Sequence, residues 1–577
     1  MNASTVVLAS AVIVSMPTPA RSLAVSPDRQ DSLRSGRILY AKYCSTCHGS
    51  DGSGSGTAAI YLNPKPRDFT RGIFKFQSTP AGSLPTDEDL LRTLKNGMPG
   101  SPMPAWDRLT DQQRTDLVTF VKEFCERFKT EPPAEVLTIA TEPPSTPDMI
   151  RDGKAVYALA GCWMCHGKSG LGDGPSSGTL VDDLGRPIRP YNFTRAGAFK
   201  GGGAPRDIYR TFSTGIGGTP MPGYGEEALT LGQESISDLT ALESQYTESE
   251  LQEIRSYALR WPTEKQLSEL DAEQRKALAE ERRWALVYYV LSLSQSSRPQ
   301  ISYTTIDHQL TSVPVAEIAA FRNPSADVWQ NVKAVELPLI SLWQRDTPTD
   351  RVSVQTVNDG TMIAFRLQWE DPTQNDDGLH ASRFGDAAAI QFPLDPASDP
   401  FFGMGDTSFA VNIWQWKSWW DRDLSVNGGY AGVNTTFPRN GVDFYPFDVA
   451  GGSRIEFFVS KDSARNISLM WNSGWASRNP LSAQTHTSSI EDLNAHGFGS
   501  LTPQPPSEQT VNGTGVWNAG TWSAVFVRAL TSGERSDVVL KPGTTIPAAF
   551  AVWDGSLKDR NGQKMVTNWY QLTIGTK

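Results

Sequence analysis

The pentapeptide Cys-x-x-Cys-His occurs twice in this 577-residue chain. Its key residues are Cys44, Cys47 and His48 in the first copy and Cys162, Cys165 and His166 in the second. In this pattern each cysteine thiol can add to one vinyl group of a porphyrin, and the adjacent histidine can bind the iron. The two copies therefore predict two covalently attached haems c.

Two other functions use pairs of cysteines at this spacing. Two Cys-x-x-Cys pairs could form a zinc site, and each pair could act as a redox dithiol. Neither function requires a histidine directly after both pairs or a Met-Pro dipeptide downstream of both, so haem attachment is favoured. The fifth cysteine, Cys125, ends an apolar helix face and is predicted to be a small buried apolar residue.

The two motifs lie in matching sequence frameworks, which indicates an internal repeat. Residues 36–40 match 153–157, residues 66–71 match 190–195, and residues 97–106 match 215–224. In the last pair Met103 aligns with Met221, whereas Met98 aligns with Ile216. Methionine is the usual distal ligand of a six-coordinate haem c. Met103 and Met221 are therefore the predicted distal ligands, and Met98 is predicted to pack in the core.

Each repeat is predicted to close with a helix. Apolar residues at helical spacing predict a helix from Thr110, as N-cap, to Phe124, and a counterpart over residues 283–293. The arrangement resembles the class I cytochrome c domain. An acidic insertion from about Glu226 to Glu281 is predicted to form a solvated helical hairpin in the second unit.

The first 24 residues are predicted to be a signal peptide. Val6 to Met16 is apolar, and small residues suited to cleavage follow it, although no Lys or Arg precedes the apolar stretch. A disordered N-terminus and an uncleaved anchor are the alternatives. Because haem c is attached outside the bacterial cytoplasm, the protein is expected in the periplasm, either in solution or membrane-associated through partners or this N-terminus.

Strand patterns replace helical patterns from about residue 300. Residues 352–357 and 362–369 flank Asn358-Asp359-Gly360 and predict a β-hairpin. Further strands are predicted at 387–392, 454–459, 467–471, 521–528, 548–553 and 566–574. Many short strands with turn signals favour a β-sandwich. The predicted fold class is thus multidomain, with two all-α cytochrome c domains followed by an all-β sandwich.

The predicted boundaries follow these changes in pattern. They are a signal peptide at 1–24, cytochrome c domain 1 at 30–128, a Pro-rich linker at 129–146, cytochrome c domain 2 at 147–296, and the sandwich at 305–577.

The C-terminal half also contains several separated motifs in a defined order. They are Asp386 to Pro393, Phe402 to Gly405, Val411 to Lys417, Gly520 to Trp522, Phe550 to Gly555 and Arg560 to Lys564. These motifs resemble the haem b-binding γ subunit of ethylbenzene dehydrogenase and related type II dimethyl-sulfoxide-reductase enzymes, and are similar to the γ-type subunits of nitrite oxidoreductases. The resemblance implies one non-covalent haem b, held by a methionine and a lysine.

The resemblance assigns Met404 as the methionine ligand of haem b. Lys564 is the first choice for the lysine, with Lys541 and Lys558 as alternatives; Lys417 follows Met404 too closely to face it across a pocket. The four histidines of this half, none of which lies in a recognised motif, are expected at the surface or in the polar core: His308, His380, His486 and His496.

The combined prediction is a periplasmic electron-transfer protein with two haems c and one haem b. The resemblance implies a molybdenum-cofactor catalytic subunit and an iron–sulfur subunit as partners, and a soluble or membrane electron carrier beyond them. A formal net charge of −10 argues against nucleic acid as a partner. Two alternatives stay open: a diheme enzyme that reduces peroxide or oxidises sulfur compounds, and a diheme protein whose Trp-rich sandwich binds carbohydrate.

Overall fold

The computed structural model describes residues 27–195, 199–236, 240–294, 308–345, 347–377, 382–427 and 487–576. Helices predominate up to residue 294 and strands predominate from residue 309 onward. The predicted order of a helical cytochrome c region followed by a sheet-rich region is therefore confirmed. No helix in these ranges is both long and apolar enough to span a bilayer.

The first helical unit is organised by the crossing of its first and fourth helices. A β-carbon on Gly36 would lie 2.1 Å from the carbonyl oxygen of Asp116, so only glycine lets the two helices approach this closely. Thr110 caps the fourth helix through a capping box with Gln113, as the sequence predicts. The helices are α1 Pro27–Tyr43, α2 Ser45–His48, α3 Asp87–Asn96, α4 Asp111–Lys122 and α5 Arg127–Thr130.

The second helical unit repeats this crossing. A β-carbon on Gly153 would lie 2.0 Å from the carbonyl oxygen of Ala285, which is the counterpart of the Gly36 contact. The helices are α6 Pro147–Leu159, α7 Trp163–His166, α8 Pro205–Thr214, α9 Glu226–Leu229, α10 Thr240–Glu243, α11 Glu248–Ala258, α12 Glu264–Glu269 and α13 Ala272–Ser292.

The insertion of the second unit is not the predicted solvated hairpin. Its α13 begins at Ala272 rather than Arg283, and α11 packs against α6. Trp261 donates its indole N–H to Asp152 at 2.8 Å, and Tyr257 donates to Asp148 at 2.9 Å. Buried apolar residues between the acidic positions join the core of this unit. The free energy gained by burying them holds the segment against the core although its average composition is polar.

The sheet-rich region contains fourteen strands among the described residues. They are β1 Gln309–Pro314, β2 Val335–Pro338, β3 Ile340–Ser341, β4 Arg351–Asn358, β5 Met362–Glu370, β6 Ala387–Pro393, β7 Val411–Lys417, β8 Ile490–Ala495, β9 Thr502–Pro503, β10 Asn512–Asn518, β11 Thr521–Ala529, β12 Thr545–Trp553, β13 Met565–Val566 and β14 Tyr570–Ile574. The region also contains helix α14, Ser418–Asn427. It is therefore sheet-rich rather than all-β.

Eleven of these strands pair along one continuous path, in the order β10-β11-β5-β4-β1-β14-β12-β6-β7-β8-β9, and β2, β3 and β13 pair off this path. Most neighbours are antiparallel, but β1 pairs in parallel with both β14 and β4. The two arms of the path face each other across one core. Phe365 of β5 lies 6.0 Å from Trp414 of β7 between ring centroids, and Trp369 lies 5.9 Å from Trp416.

The strand predictions were accurate where turn signals were clear. Residues 358–360 form the predicted hairpin turn between β4 and β5, and residues 387–392, 521–528 and 548–553 lie in strands. The single strand predicted over 566–574 is wrong, because residues 567–569 interrupt it between β13 and β14. The strands predicted at 454–459 and 467–471 lie outside the described residues.

The first helical unit packs directly on the sheet-rich region. Asp399 accepts hydrogen bonds from Tyr43 at 2.5 Å and Arg108 at 3.0 Å, and lies 2.9 Å from the ammonium of Lys42. The amide of Asn63 donates to the carbonyl of Leu342 at 3.0 Å, and the amide of Gln344 donates to the carbonyl of Asn63 at 2.8 Å. These backbone hydrogen bonds add to the interface. Residues of both regions share one apolar cluster, so their relative position is set by burial as well as by polar contacts.

Candidate cofactor sites

The first Cys-Cys-His motif lies at the junction of α1 and α2. The His48 Nδ1 lies 3.0 Å from the carbonyl oxygen of Arg67, and the ring stacks on Phe69 with a centroid distance of 4.4 Å. A carbonyl oxygen can only accept, so Nδ1 carries the proton and Nε2 keeps the lone pair that an iron ligand needs. Cys44 is buried and Cys47 is half-buried beside it.

The second motif has the same geometry. The His166 Nδ1 lies 3.0 Å from the carbonyl oxygen of Tyr191, and the ring stacks on Phe193 at 4.3 Å. Burial lowers the pKa of His48 and of His166 to about 4 in each case. Both imidazoles are therefore neutral at ordinary pH, which is the form that binds iron.

The loops that carry the predicted distal methionines also match. The amide of Met98 donates to the carbonyl of Met103 at 3.0 Å, and the amide of Ile216 donates to that of Met221 at 3.1 Å. Gly97 begins the first loop with a φ of +64°, and a β-carbon there would lie 2.5 Å from the amide nitrogen of Ala105. Met103 and Met221 thus occupy equivalent turn positions, as their alignment in the sequence predicts.

The structure brings the first set of predicted residues together around one cavity. Its lining includes Cys44, Cys47, His48 and Met103, and Met98 also contributes. In the second unit Cys162 is buried in an apolar cluster against which Met221 packs, and this cluster includes Phe193 beneath the His166 ring. Cys165 is half-buried in the same motif.

Four cationic side chains line the first cavity. They are Lys65, Arg67, Lys75 and Lys200, and no Asp or Glu is among the lining residues. The Nε of Arg67 is buried without a hydrogen-bond partner among the described residues. Burial lowers the pKa of Lys75 and of Lys200 to about 8. Asp183 lies 3.5 Å from the Arg67 guanidinium and balances part of this charge. The remaining positive charge fits a porphyrin, which carries two carboxylates on an otherwise apolar ring.

These cations were missed in the sequence. A signal was present, because Phe74-Lys75 in the first repeat matches Phe199-Lys200 in the second. The structure shows why the pair matters: the two lysines come from different repeats and meet at one cavity.

Met404, the methionine ligand implied by the family resemblance, lies in a tight turn between β6 and β7. Its φ is +71°, a left-handed conformation that is rare for residues other than glycine. The turn is held by hydrogen bonds from Gly405 to the carbonyl of Phe401 at 3.0 Å and from Gly497 to that of Met404 at 2.7 Å. Such a conformation costs roughly 1–3 kcal/mol and occurs preferentially at functional sites.

Lys564 is buried, with only 7% of its surface exposed. Its ammonium lies 4.7 Å from the centroid of the Trp553 ring, and burial lowers its pKa to about 8. The alternatives Lys541 and Lys558 are exposed. Lys417, which lies at the end of β7, instead forms an ion pair with Glu491.

The segments that carry Met404 and Lys564 meet at Tyr61 of the first helical unit. The Tyr61 ring stacks on Phe498, next to the Met404 turn, at 5.6 Å. A β-carbon on Gly562 would lie 3.3 Å from the β-carbon of Tyr61. The sequence had not identified Tyr61 because it belongs to a different domain from the site that it contacts.

The three candidate sites adjoin one another. Phe402, next to the Met404 turn, lines the first cavity and lies 6.4 Å from Trp106 between ring centroids. On the other side Arg67, whose carbonyl binds His48, donates to the carbonyl of Gly217 at 3.2 Å, and Gly217 belongs to the Met221 loop. The first helical site therefore adjoins both of the other candidate sites.

The remaining candidates have ordinary structural surroundings. The His308 Nε2 lies 2.9 Å from a carboxylate oxygen of Asp107, and His496 is exposed. Cys125 is buried at 1% exposure. His380 and His486, like the predicted signal peptide at 1–24, lie outside the described residues.

Three family models match separate parts of the chain. The model described as cytochrome c oxidase, cbb3-type, subunit III matches residues 31–121, the cytochrome c model matches residues 150–294, and the ethylbenzene dehydrogenase model matches residues 326–565. The chain therefore combines two cytochrome c regions with an ethylbenzene dehydrogenase-like region.

Curated relatives resemble less than half of this chain. The putative respiratory nitrate reductase heme subunit ORF7 of Haloferax mediterranei is 23% identical over 46% of this chain and 73% of its own length. The chlorate reductase subunit gamma of Ideonella dechloratans is 23% identical over 43% of this chain and 78% of its own. The dimethylsulfide dehydrogenase subunit gamma of Rhodovulum sulfidophilum is 27% identical over 40% of this chain and 64% of its own.

Replacing Lys75 with Gln should lower the reduction potential of one haem c by roughly 50 mV, because a nearby positive charge favours the reduced iron. A spectroelectrochemical titration of the purified protein measures this change. The matched control is Lys95→Gln on the exposed face of α3, for which no shift is expected. An unchanged or raised potential in Lys75→Gln would exclude a haem beside these lysines.

Proposed function

We propose that this fusion of two cytochrome c regions to an ethylbenzene dehydrogenase-like region is the electron-transfer subunit of a periplasmic oxidoreductase complex, holding two haems c and one haem b. When bound, the haems supply reversible one-electron chemistry. The observation that carries the proposal is that three candidate sites adjoin one another in one chain, each with two residues whose side chains could bind iron.

The matching methionine positions of the two repeats support six-coordinate carrier haems rather than a catalytic iron. His48 would bind one haem c and Met103 would complete its coordination, while His166 and Met221 would do the same for the other. Cys44, Cys47, Cys162 and Cys165 would form the thioether bonds. A peroxide-reducing or sulfur-oxidising diheme enzyme needs an open position on one iron, whereas both repeats carry a methionine at the same loop position.

The sheet-rich region would hold haem b between Met404 and Lys564. Support comes from the strained Met404 turn, from the burial of Lys564 and from the convergence of both segments on Tyr61. We further propose that this region is a β-sandwich, since Phe365 and Trp369 of one arm pack against Trp414 and Trp416 of the other.

The partners are proposed from the relatives. These relatives include a nitrate reductase heme subunit and gamma subunits of chlorate reductase and dimethylsulfide dehydrogenase. We propose that this chain likewise serves a molybdenum-cofactor catalytic subunit and an iron–sulfur subunit, and exchanges electrons with a soluble or membrane carrier. Export fits this role, because haem c attachment takes place outside the cytoplasm.

The haem content tests the proposed function most directly. Acid–acetone extraction followed by pyridine haemochrome spectra should remove one haem b per chain and leave two haems c bound. The Met404→Leu variant, which keeps the apolar bulk but removes the thioether, should retain both haems c and lose or weakly hold haem b. Finding two haems per chain, both covalent, would reject the haem b assignment and leave a diheme protein.

Distal ligation is tested by exchanging methionines one at a time. Met103→Ala and Met221→Ala should each convert one haem c from low-spin to high-spin, because the iron loses its sixth ligand. The visible and EPR spectra of the oxidised protein record this change. Met98→Leu is the matched control, and a spin change in Met98→Leu instead of Met103→Ala would reverse the ligand assignment.

The order of the sites predicts unequal magnetic coupling between the haems. Met103→His and Met221→His would each alter the EPR signal of one haem c, so that each signal can be assigned to its own helical unit. In the fully oxidised protein the haem b signal should then couple more strongly to the haem c of the first unit than to that of the second. Equal coupling, or a stronger one to the second unit, would contradict the order.

The partner assignment predicts metals that this chain does not bind itself. When the tagged chain is purified from its native cells, molybdenum should accompany it in a ratio near one per chain, together with iron–sulfur EPR signals. An unrelated tagged periplasmic protein serves as the control. A preparation with three haems but no molybdenum above the control would exclude a stable complex of this kind.

A further inference from the structure

Three buried carboxylates meet in the sheet-rich region at a place that the haem sites do not use. Asp371 follows β5, Asp386 precedes β6 and Asp554 follows β12. One carboxylate oxygen of each lies within 4.8 Å of the other two. Asp371 and Asp386 are 0% exposed and Asp554 is 4% exposed. We call these three residues the aspartate cluster.

Neutral donors orient the cluster without balancing its charge. Asp386 accepts hydrogen bonds from the amides of Gly555 at 2.8 Å and Asn375 at 2.7 Å, and from the indole of Trp522 at 2.9 Å. Among the described residues no Lys, Arg or His forms an ion pair with any member of the cluster. The nearby guanidinium of Arg345 is bonded instead to Asp559, at 2.8 Å and 2.6 Å.

One oxygen of the cluster has no N–H or O–H donor. The Asp371 Oδ1 accepts from the amide and hydroxyl of Thr373, at 3.0 Å and 3.1 Å, whereas its Oδ2 is buried without such a donor among the described residues, and the Asp371 carboxyl lies beside that of Asp386. Burial, followed by repulsion from Asp554, raises the pKa of Asp371. A buried carboxylate oxygen left in this state is costly, so a cation is the natural counterpart.

We propose that Asp371, Asp386 and Asp554 bind one Ca²⁺ ion. Three carboxylates and no histidine or cysteine make a hard oxygen site, which excludes zinc as the preferred ion. Mg²⁺ usually retains several waters and uses one or two carboxylates, whereas Ca²⁺ accepts several carboxylates in flexible geometry. A buried cluster of three carboxylates therefore favours Ca²⁺.

The position of the cluster gives the ion a structural role. It joins the end of β5 and the start of β6 to the loop over residues 554–564, whose last residue is Lys564. The same loop is tied to the adjacent strand by the indole of Trp553, which donates to the carbonyl of Asn561 at 3.2 Å. A Ca²⁺ ion would neutralise the carboxylates that hold the base of this loop and so stabilise its fold.

The test measures calcium rather than electron transfer. Full-length haem-loaded protein, treated with EDTA and then dialysed against ⁴⁵Ca²⁺, should bind one more equivalent of calcium than the Asp371→Asn variant. Ca²⁺ should raise the Tm of the native protein by about 3 °C or more, and Mg²⁺ at equal concentration should have a smaller effect. Asp395→Asn, a change at an exposed aspartate of the same region, should behave like the native protein.

Two results would overturn the proposal. One is equal calcium binding by the native protein and Asp371→Asn. The other is a Tm of the native protein that changes neither with Ca²⁺ nor with EDTA, a result that does not depend on the folding of any variant. In that case a proton shared between Asp371 and Asp386 balances the cluster. Haem content, measured on the same samples, separates a failure of this site from a failure of the haem assignments.

Discussion

The hydrogen bond between the His48 ring and the carbonyl of Arg67 links the chemistry of this chain to its architecture. It fixes the tautomer of the imidazole and so leaves one ring nitrogen available as a metal ligand. The same residue, Arg67, extends its guanidinium to the Met221 loop of the second unit. One residue therefore positions the predicted iron ligand of one domain and contacts the loop that carries the predicted ligand of the next.

Charge is distributed differently in the two halves of the molecule. The first helical cavity is lined by half-buried cations although the chain is acidic overall, whereas the sheet-rich region gathers buried carboxylates. Uncompensated buried charge is expensive in a low-dielectric interior. Both clusters suit a ligand of opposite charge: the proposed porphyrin carboxylates at Lys75 and Lys200, and the proposed cation at Asp371.

Apolar burial sets the relative position of the two halves. Trp106 and Phe402 belong to one cluster that extends from the first helical unit into the sheet-rich region, and Asp399 adds polar contacts at its edge. This packing brings Tyr61 against the segments that carry Met404 and Lys564. A rigid contact of this kind suits electron transfer, which depends on short and constant distances between cofactors.

The sequence alone was sufficient for the local features. The spacing of Cys44, Cys47 and His48 is a covalent requirement, the match of Met103 with Met221 follows from the repeat, and the Thr110 cap and the turn at Asn358 depend only on neighbouring residues. Tertiary structure decided the rest. The solvated hairpin was a wrong prediction because the apolar residues between its acidic positions pack on α6. The single strand over 566–574 was wrong because its pairing with β12 shifts by one residue between β13 and β14, where the Thr567 hydroxyl accepts from the amide of Phe550 at 2.9 Å. Tyr61, Lys200 and the aspartate cluster gain their roles from residues distant in the chain, and the energy of such contacts depends on burial and proximity, which no local pattern records.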